Sequence, residues 1–266
     1  MLTPPPSRRL DGHLSSSSFI KCAFTVAPIA FLLNARLYSN KPIRLLMKNI
    51  VIIGSGGHAN VVIDIVERQG LFRIAGLIDP CRVPGEITAG YRVLGREDQL
   101  SDLITPHQLK GCIVAVGDND VRQKITTTIQ TRCPTFPFIT AIHPNSSVSR
   151  RASIGPGSVV GAGAVINPEC TIGHGCILNT RCSLDHDSTM GDYSSLGPNA
   201  TTGGRVCIGN GSAIGISATI LQGVRIGAQT VIGGCSFVNK DINPLKLAFG
   251  IPVKEIRGRM AGEAYL

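Results

Sequence analysis

The triplet Asp185-His186-Asp187 combines the residue types of a general base and of a carboxylate that supports it. A carboxylate beside an imidazole favours the charged ring and strengthens the ring as a base. The triplet stands where comparable positions in this part of the chain carry Gly or Asn, so we expect no packing role for the histidine. The competing interpretation is a solvated surface histidine. Asn179, seven residues earlier, is the amide that we expect to hold either a substrate or the imidazole.

The segment that carries this triplet has an internal period of six. Apolar residues occupy every sixth position from Ile142 to Val238, and Thr202 interrupts their chemistry without changing the spacing. A period of six fits neither an α-helix nor the alternation of a simple strand. It is typical of a coil of three short strands with the apolar residue pointing inward, in which each coil buries the core of its neighbour. We predict an all-β parallel β-helix, left-handed as this repeat type is, with the triplet at a corner.

The same period accounts for the cysteines. Cys170, Cys176 and Cys182 occupy small positions two residues before successive inward positions, where we expect core packing and no metal. The chain has nine cysteines and no Cys-x-x-Cys pair, which favours a reducing, cytoplasmic location. A zinc site on such a prism needs two closely spaced histidines and a third from a neighbouring wall. His143, His174 and His186 offer no such pair, so we predict no metal.

A second group of candidates lies nearer the amino terminus. The aliphatic run 50–53 reads as a buried parallel strand, and it is followed by Gly54-Ser55-Gly56-Gly57-His58-Ala59 and then by apolar residues at helical spacing. Strand, glycine turn and helix are the context that a phosphate-binding loop requires. Asp79 ends a second predicted strand, where a carboxylate can accept hydrogen bonds from a ribose or a base. Gly117 follows a third.

Two other interpretations of this loop stay open. It could be a tight turn without a ligand. It could also be a dinucleotide site, because Gly54, Gly56 and Ala59 fit G-x-G-x-x-A and Asp79 lies about where a ribose-binding acid belongs. The unit is about half the size of a doubled dinucleotide fold, which favours a mononucleotide. We predict an α/β, Rossmann-like amino-terminal domain.

Composition limits the partners. Residues 1–46 hold six Lys or Arg and one acid, so +5 of the formal net charge of +9 lies there, and the remaining +4 is spread without a basic run. We therefore predict no nucleic-acid binding. The apolar part of this segment is too short and too interrupted to span a membrane. Residues 1–46 read as a targeting peptide, a disordered tail or upstream sequence outside the natural protein.

The resulting division is a non-native or disordered extension (1–46), a Rossmann-like domain (47–140), a β-helix domain (141–240) and a carboxy-terminal tail (241–266). From Met47 to about Arg259 the chain resembles the bacterial sugar O-acyltransferases of the sialic-acid O-acetyltransferase type, which include the UDP-4-amino-sugar N-acetyltransferases. The resemblance rests on these motifs: Gly54-Ser55-Gly56-Gly57-His58, Leu77-Ile78-Asp79, Val116-Gly117-Asp118-Asn119, Leu178-Asn179-Thr180, Asp185-His186-Asp187 and Phe249-Gly250-Ile251-Pro252-Val253-Lys254.

The resemblance implies a homotrimer whose active sites lie between adjacent β-helices, with acetyl-CoA as acyl donor and a nucleotide-linked sugar as acceptor. It makes His186 the general base and Asp187 the acid that supports it. The positions that it implies for the nucleotide of the sugar substrate are Gly56, Gly57, His58, Asp79 and Gly117. Ile216 and Gly234 match positions that line the acetyl-CoA cleft. Ser195 stands where the family usually has a histidine near the thioester.

The resulting hypothesis is an acetyltransferase acting on an amino or hydroxyl group of a sugar. A backbone N–H at Gly203 or Gly204, one coil beyond His186, is the expected oxyanion donor. The rival functions are a nucleotide-binding scaffold without catalysis and a dinucleotide-dependent oxidoreductase. The oxidoreductase hypothesis offers no account of the acid-flanked histidine.

Overall fold

The computed structural model describes residues 47–265, so the predicted extension 1–46 lies outside the described residues. The described part of the chain begins with an α/β unit. Its elements are β1 (Lys48–Ile53), α1 (Gly57–Gln69), β2 (Phe72–Ile78), β3 (Ile87–Thr88), β4 (Tyr91–Gly95), a short 3₁₀ helix (Glu97–Gln99), α2 (Leu100–Ile104), β5 (Leu109–Val114) and α3 (Asn119–Arg132). The predicted buried strand is confirmed, since the side chains of residues 50–53 are fully buried in β1.

The sheet of this unit has the order β3-β4-β2-β1-β5, and all its pairs are parallel except β3 with β4. β1 therefore has β2 on one side and β5 on the other, and the chain reverses its direction of winding beside β1. Ligands of open α/β sheets bind at the carboxyl ends of the strands next to such a reversal. The loops after β1, β2 and β5 meet at that edge.

The repeat folds into seventeen two-residue strands, β6 to β22, arranged as three parallel walls. The first wall consists of β6 (Ala141–Ile142), β9 (Val159–Val160), β12 (Ile177–Leu178), β15 (Ser195–Leu196), β18 (Ala213–Ile214) and β21 (Val231–Ile232). The second wall consists of β7 (Ser147–Val148), β10 (Val165–Ile166), β13 (Ser183–Leu184), β16 (Thr201–Thr202), β19 (Thr219–Ile220) and β22 (Phe237–Val238). The third wall consists of β8 (Ser153–Ile154), β11 (Thr171–Ile172), β14 (Thr189–Met190), β17 (Cys207–Ile208) and β20 (Arg225–Ile226).

Paired residues on neighbouring coils are 18 positions apart, as in Ile177 and Ser195. The second residue of each strand points into the prism and forms one continuous apolar core, from which only the first coil remains partly exposed. The three cysteines expected in the core are buried there. The predicted left-handed parallel β-helix is confirmed.

The first wall extends beyond the repeat. β23 (Lys246–Phe249) pairs in parallel with β21, and β24 (Lys254–Gly258) returns antiparallel to β23. Part of the segment that we expected to be a tail is therefore sheet. No helix within residues 47–265 is both long and apolar enough to cross a membrane.

The α/β unit covers the outer face of the first wall. The outward residues of that wall are buried, and two of them, Ala141 and Val159, belong to the apolar core of the α/β unit. The outward residues of the other two walls are exposed or partly exposed, as Thr189 and Thr201 are. The repeat itself is the same on all three walls, so the small and aliphatic outward side chains of the first wall are what distinguish it.

Candidate active site

His186 lies at the corner between the second and third walls, which we call the acidic corner (Asp185–Asp187). Its side chain is 46% exposed, and its Nδ1 is 2.8 Å from Oδ2 of Asp187. Asp187 has a φ of +57°, the left-handed turn conformation that Glu169 and Arg205 also adopt one coil before and one coil after it. In the neutral ring, a proton on Nδ1 shared with the carboxylate leaves the lone pair on Nε2, the nitrogen that can act as a base.

The other acid of the corner has a different role. One oxygen of Asp185 accepts hydrogen bonds from the backbone N–H of His186 (2.8 Å) and from Nδ2 of Asn167 (2.6 Å). The pKa of the Asp185 carboxyl is lowered, first by the bond from the His186 backbone and then by the bond from Asn167. Asp185 is therefore a charged brace for the backbone, whereas Asp187 contacts the ring.

Gly204, one coil further on, makes room for the imidazole. A Cβ atom at this position would lie 2.6 Å from both Cε1 and Nε2 of His186, closer than carbon atoms approach. The N–H of Gly203 already donates to the carbonyl of Ile220 at 2.8 Å, so the expectation that it serves an oxyanion is wrong. The N–H of Gly204 has no acceptor within residues 47–265, and the residue itself packs against the ring.

Asn179 is at a different corner, between the first and second walls. Its Oδ1 accepts from the backbone N–H of Thr180 at 2.8 Å. Ile216 and Gly234 lie along this same edge two and three coils beyond, since the carbonyl of Ile216 accepts from Cys235. Ile216 is 58% exposed. Within one chain the structure therefore groups Asn179 with the two predicted acetyl-CoA residues, and separates all three from His186 by the width of the second wall.

Ser195 lies on neither edge. It points outward from the first wall into the interface with the α/β unit, where it is 9% exposed. We call this interface, in which Asn119 and Arg122 contact the β-helix, the seam. Its hydroxyl accepts from Nδ2 of Asn119 (3.2 Å) and bonds the hydroxyl of Tyr265, which itself accepts from the backbone N–H of Asn119. A role for Ser195 in contacting the acyl donor stays a prediction.

The predicted nucleotide residues meet at the carboxyl edge of the sheet. Helix α1 begins at Gly57 without a side-chain cap, and a Cβ on Gly56 or Gly57 would have nothing within 4 Å. Free N–H groups facing open space at a helix amino terminus are suited to a phosphate. Asp79 lies opposite, where one oxygen accepts from Ser55 Oγ (2.5 Å) and the other from the N–H of Cys81 (2.8 Å).

His58 adds a neutral imidazole to this loop. Burial, and secondarily the positive charge of Arg122, lower the pKa of His58 from 6.5 to about 4, so the ring is uncharged at neutral pH. Its Nε2 is buried and has no hydrogen-bond partner within residues 47–265. A ligand at this loop therefore meets no charge from His58.

Arg122, which sequence reasoning missed, joins this edge to the β-helix. Its guanidinium is buried and donates to the carbonyls of Val116 and Gly117 in the nucleotide loop (both 3.0 Å). It also donates to the carbonyls of Gly175 (2.7 Å) and Tyr193 (3.1 Å) at the corner between the third and first walls. No sequence signal marked it, because the buried face of α3 is largely polar (Asn119, Arg122 and Thr126) and the neighbouring apolar residue Val121 is exposed.

The edge of the sheet that carries Gly56, Gly57, His58, Asp79 and Gly117, which we call the nucleotide edge, therefore adjoins the corner between the third and first walls. The acidic corner is a different corner of the prism. Within one chain the two groups are not brought together. No cluster of three or more His, Cys, Asp or Glu side chains that could hold a metal ion occurs within residues 47–265.

A nucleotide-type α/β unit docked on a left-handed β-helix, with an acid-supported histidine at a corner, defines a hexapeptide-repeat acyltransferase. Residues 49–129 match the family model described as the PglD N-terminal domain. The chain belongs to the sugar acyltransferases of the sialic-acid O-acetyltransferase type, the family that includes the UDP-4-amino-sugar N-acetyltransferases.

Family membership is supported by two solved structures that this chain matches over nearly their whole length. GDP-perosamine N-acetyl transferase from Caulobacter crescentus, solved with CoA and GDP-perosamine, is 35% identical with a TM-score of 0.73, over 78% of this chain and 96% of that one. The acetyltransferase domain of PglB from Neisseria gonorrhoeae, solved with acetyl coenzyme A, is 30% identical with a TM-score of 0.72, over 79% and 100%.

A shorter match is found with UDP-N-acetylbacillosamine N-acetyltransferase of Bacillus subtilis, 33% identical over 111 residues. That match covers 41% of this chain and about half (49%) of the Bacillus protein.

Proposed function

We propose that this protein transfers the acetyl group of acetyl-CoA to an amino group of a nucleotide-linked sugar, with His186 as general base. The observation that carries the proposal is the bond between Nδ1 of His186 and Asp187, which leaves Nε2 available at an exposed corner. Two relatives are named as N-acetyltransferases, which favours nitrogen over oxygen as the acceptor.

The proposed reaction is a direct transfer. The amine attacks the thioester carbonyl while Nε2 of His186 takes its proton, so a C–N bond forms and the oxygen of the carbonyl gains negative charge. The N–H of Gly204 is the donor available for that oxyanion. The C–S bond then breaks, and the proton held by the imidazole passes to the departing sulfur of CoA. The carboxylate of Asp187 stabilises the imidazolium between the two steps.

The nucleotide edge supplies binding. The amino terminus of α1 and the open space before Gly56 and Gly57 suit the diphosphate, and Asp79 suits the sugar or base of the nucleoside. Neutral His58 adds a hydrogen bond without adding to the charge that the diphosphate meets. Ile216 and Gly234 are the proposed contacts of acetyl-CoA. The eight cysteines within the described residues are unpaired, which is in keeping with a cytoplasmic location.

A second copy of the chain completes this site in our proposal. The nucleotide edge, the acidic corner and the Ile216 edge lie at three different corners of the prism, so one chain alone holds the groups apart. A homotrimer with its walls facing one another would bring the corner of one copy to the edge of the next. Analytical ultracentrifugation should give three copies at concentrations where the enzyme is active. A fully active monomer would contradict the shared site.

The test of the function is a panel of nucleotide-linked amino sugars incubated with acetyl-CoA and followed by mass spectrometry for addition of one acetyl group. His186→Ala should lower turnover about 10²–10⁴-fold, because general-base assistance contributes that much. The matched control is His174→Ala, an exposed histidine at another corner of the same prism that has no carboxylate bonded to its ring within residues 47–265. Unchanged turnover in the His186 variant would remove the base from the mechanism.

A further inference from the structure

Thr202 is the one polar residue in the series of inward positions from Ile142 to Val238. It lies on β16 with its side chain inside the prism, 3% exposed among aliphatic neighbours. A hydroxyl in such surroundings is costly unless it is hydrogen-bonded. Packing alone explains every other inward residue of the repeat, but it does not explain Thr202, and the proposed chemistry gives Thr202 no role.

The partner of the Thr202 hydroxyl is the acidic corner. Oγ1 of Thr202 accepts a hydrogen bond from the backbone N–H of Asp185 at 3.0 Å. At equivalent points of the second wall, the corresponding N–H donates to a backbone carbonyl one coil further on. The N–H of Asn167 donates to the carbonyl of Leu184 (3.0 Å), and that of Gly203 to the carbonyl of Ile220 (2.8 Å). At Asp185 a side chain takes the place of the backbone.

The strand pairing changes at the same point. β13 and β16 share a single register pair, Ser183 with Thr201, whereas β10 with β13 and β16 with β19 each have two. The ladder therefore opens at the strand end that leads directly into His186. A hydroxyl that replaces the carbonyl as acceptor holds the backbone of Asp185 at a position that the regular ladder would not give.

Thr202 and Gly204 lie two residues apart on the same coil, and both face the acidic corner. Gly204 leaves space for the ring of His186, and Thr202 fixes the residue before it. We propose that Thr202 is a positioning residue of the acetyltransferase, whose hydroxyl sets the backbone from which His186 reaches the acceptor amine. This inference rests on the proposed function of His186.

The decisive variant is Thr202→Val, which keeps the shape of the side chain and restores the apolar repeat. Loss of the hydroxyl should let the corner return toward the regular ladder and move the imidazole. Small displacements of a catalytic group are costly, so we expect kcat to fall about 10–100-fold. KM for both substrates should stay within about twofold and the melting temperature should not fall, because the binding residues and the core are intact. Thr202→Ser keeps the hydroxyl and should retain kcat within about threefold.

Two controls separate positioning from packing. Thr230→Val removes another fully buried hydroxyl of the same prism, one that donates to the carbonyl of Asn243, and it should lower the melting temperature while leaving kcat unchanged. In the His186→Ala background, Thr202→Val should cause no further loss of turnover, because the two residues act as one unit.

Wild-type kcat in Thr202→Val, alongside the loss in His186→Ala, would overturn the positioning role and leave the proposed function standing. A Thr202→Val defect that persists undiminished in the His186→Ala background would also overturn it, because the hydroxyl would then act independently of the base. Full activity of His186→Ala by itself would instead remove His186 from the proposed mechanism, and the positioning role of Thr202 with it.

Discussion

The seam between the two domains and the acidic corner treat polar groups in opposite ways. In the seam, Arg122 is 1% exposed, and its N–H groups reach five backbone carbonyls and the side-chain oxygen of Asn119. Asn119 in turn donates to the Ser195 hydroxyl and to the carbonyl of Ser212. At the corner, by contrast, the ring of His186 is about half exposed, and neither its Nε2 nor the N–H of Gly204 has a partner within residues 47–265.

This difference separates stability from chemistry. A buried polar group that loses its partner costs roughly 1–3 kcal/mol, so a fully bonded seam resists change and holds the two domains in register. An exposed polar group without a protein partner costs little free energy, because solvent water forms hydrogen bonds with it when no substrate is bound. The seam variants should therefore lower the melting temperature with little effect on the chemical step. The corner variants should do the reverse.

The largest effect is expected in the seam, from Arg122→Met. Methionine keeps most of the stem but removes every N–H, which leaves the carbonyls of Val116, Gly117, Gly175 and Tyr193 without this donor. We expect a loss of about 3–5 kcal/mol in the free energy of unfolding. In a chain of this size that loss lowers the melting temperature by about 10 °C, measurable by calorimetry.

The control for this variant is Arg225→Met, an arginine exposed on the third wall, which should stay within about 0.5 kcal/mol of wild type. Because Arg122 also holds the nucleotide loop, its variant should raise KM for the nucleotide sugar more than it lowers kcat. A melting temperature equal to that of the wild type would show that the seam is not the rigid element described above.

The corner was easier to predict from the sequence than the seam. The six-residue period identified every inward position, because a repeat reports the same constraint many times and one exception such as Thr202 does not hide it. Asp185-His186-Asp187 was visible as a break in the pattern of the corners. The period also predicts that Cys170, Cys176 and Cys182 lie in the core, which the structure confirms.

The contacts of the seam could not be predicted because the three walls of the prism share the same six-residue repeat. A period of six does not by itself indicate which wall the α/β unit covers. The apolar outward residues of the first wall identify the wall but not its partners, so the contacts of Asn119 and Arg122 with the β-helix could not be derived. For the same reason the burial of Ser195 could not be predicted. The roles of Thr202 and Gly204 depend on which residues stack 18 positions apart near His186. The period predicts a backbone N–H near His186 at Gly204 but not the space that Gly204 leaves for the ring or the hydrogen bond of the Thr202 side chain.

A smaller and more local effect is expected at the corner, from Gly204→Ala. The three atoms nearest to the added methyl group would all belong to the ring of His186, so the fold can accommodate it by moving the imidazole. The ring would then lose its alignment with Asp187, and we expect kcat to fall about 10–100-fold while the melting temperature changes little. In the His186→Ala background the obstacle is gone, so Gly204→Ala should have no effect on stability there. Wild-type kcat in the single variant would mean that the imidazole can move aside without losing its catalytic position. The proposed contrast between the seam and the acidic corner would then be wrong.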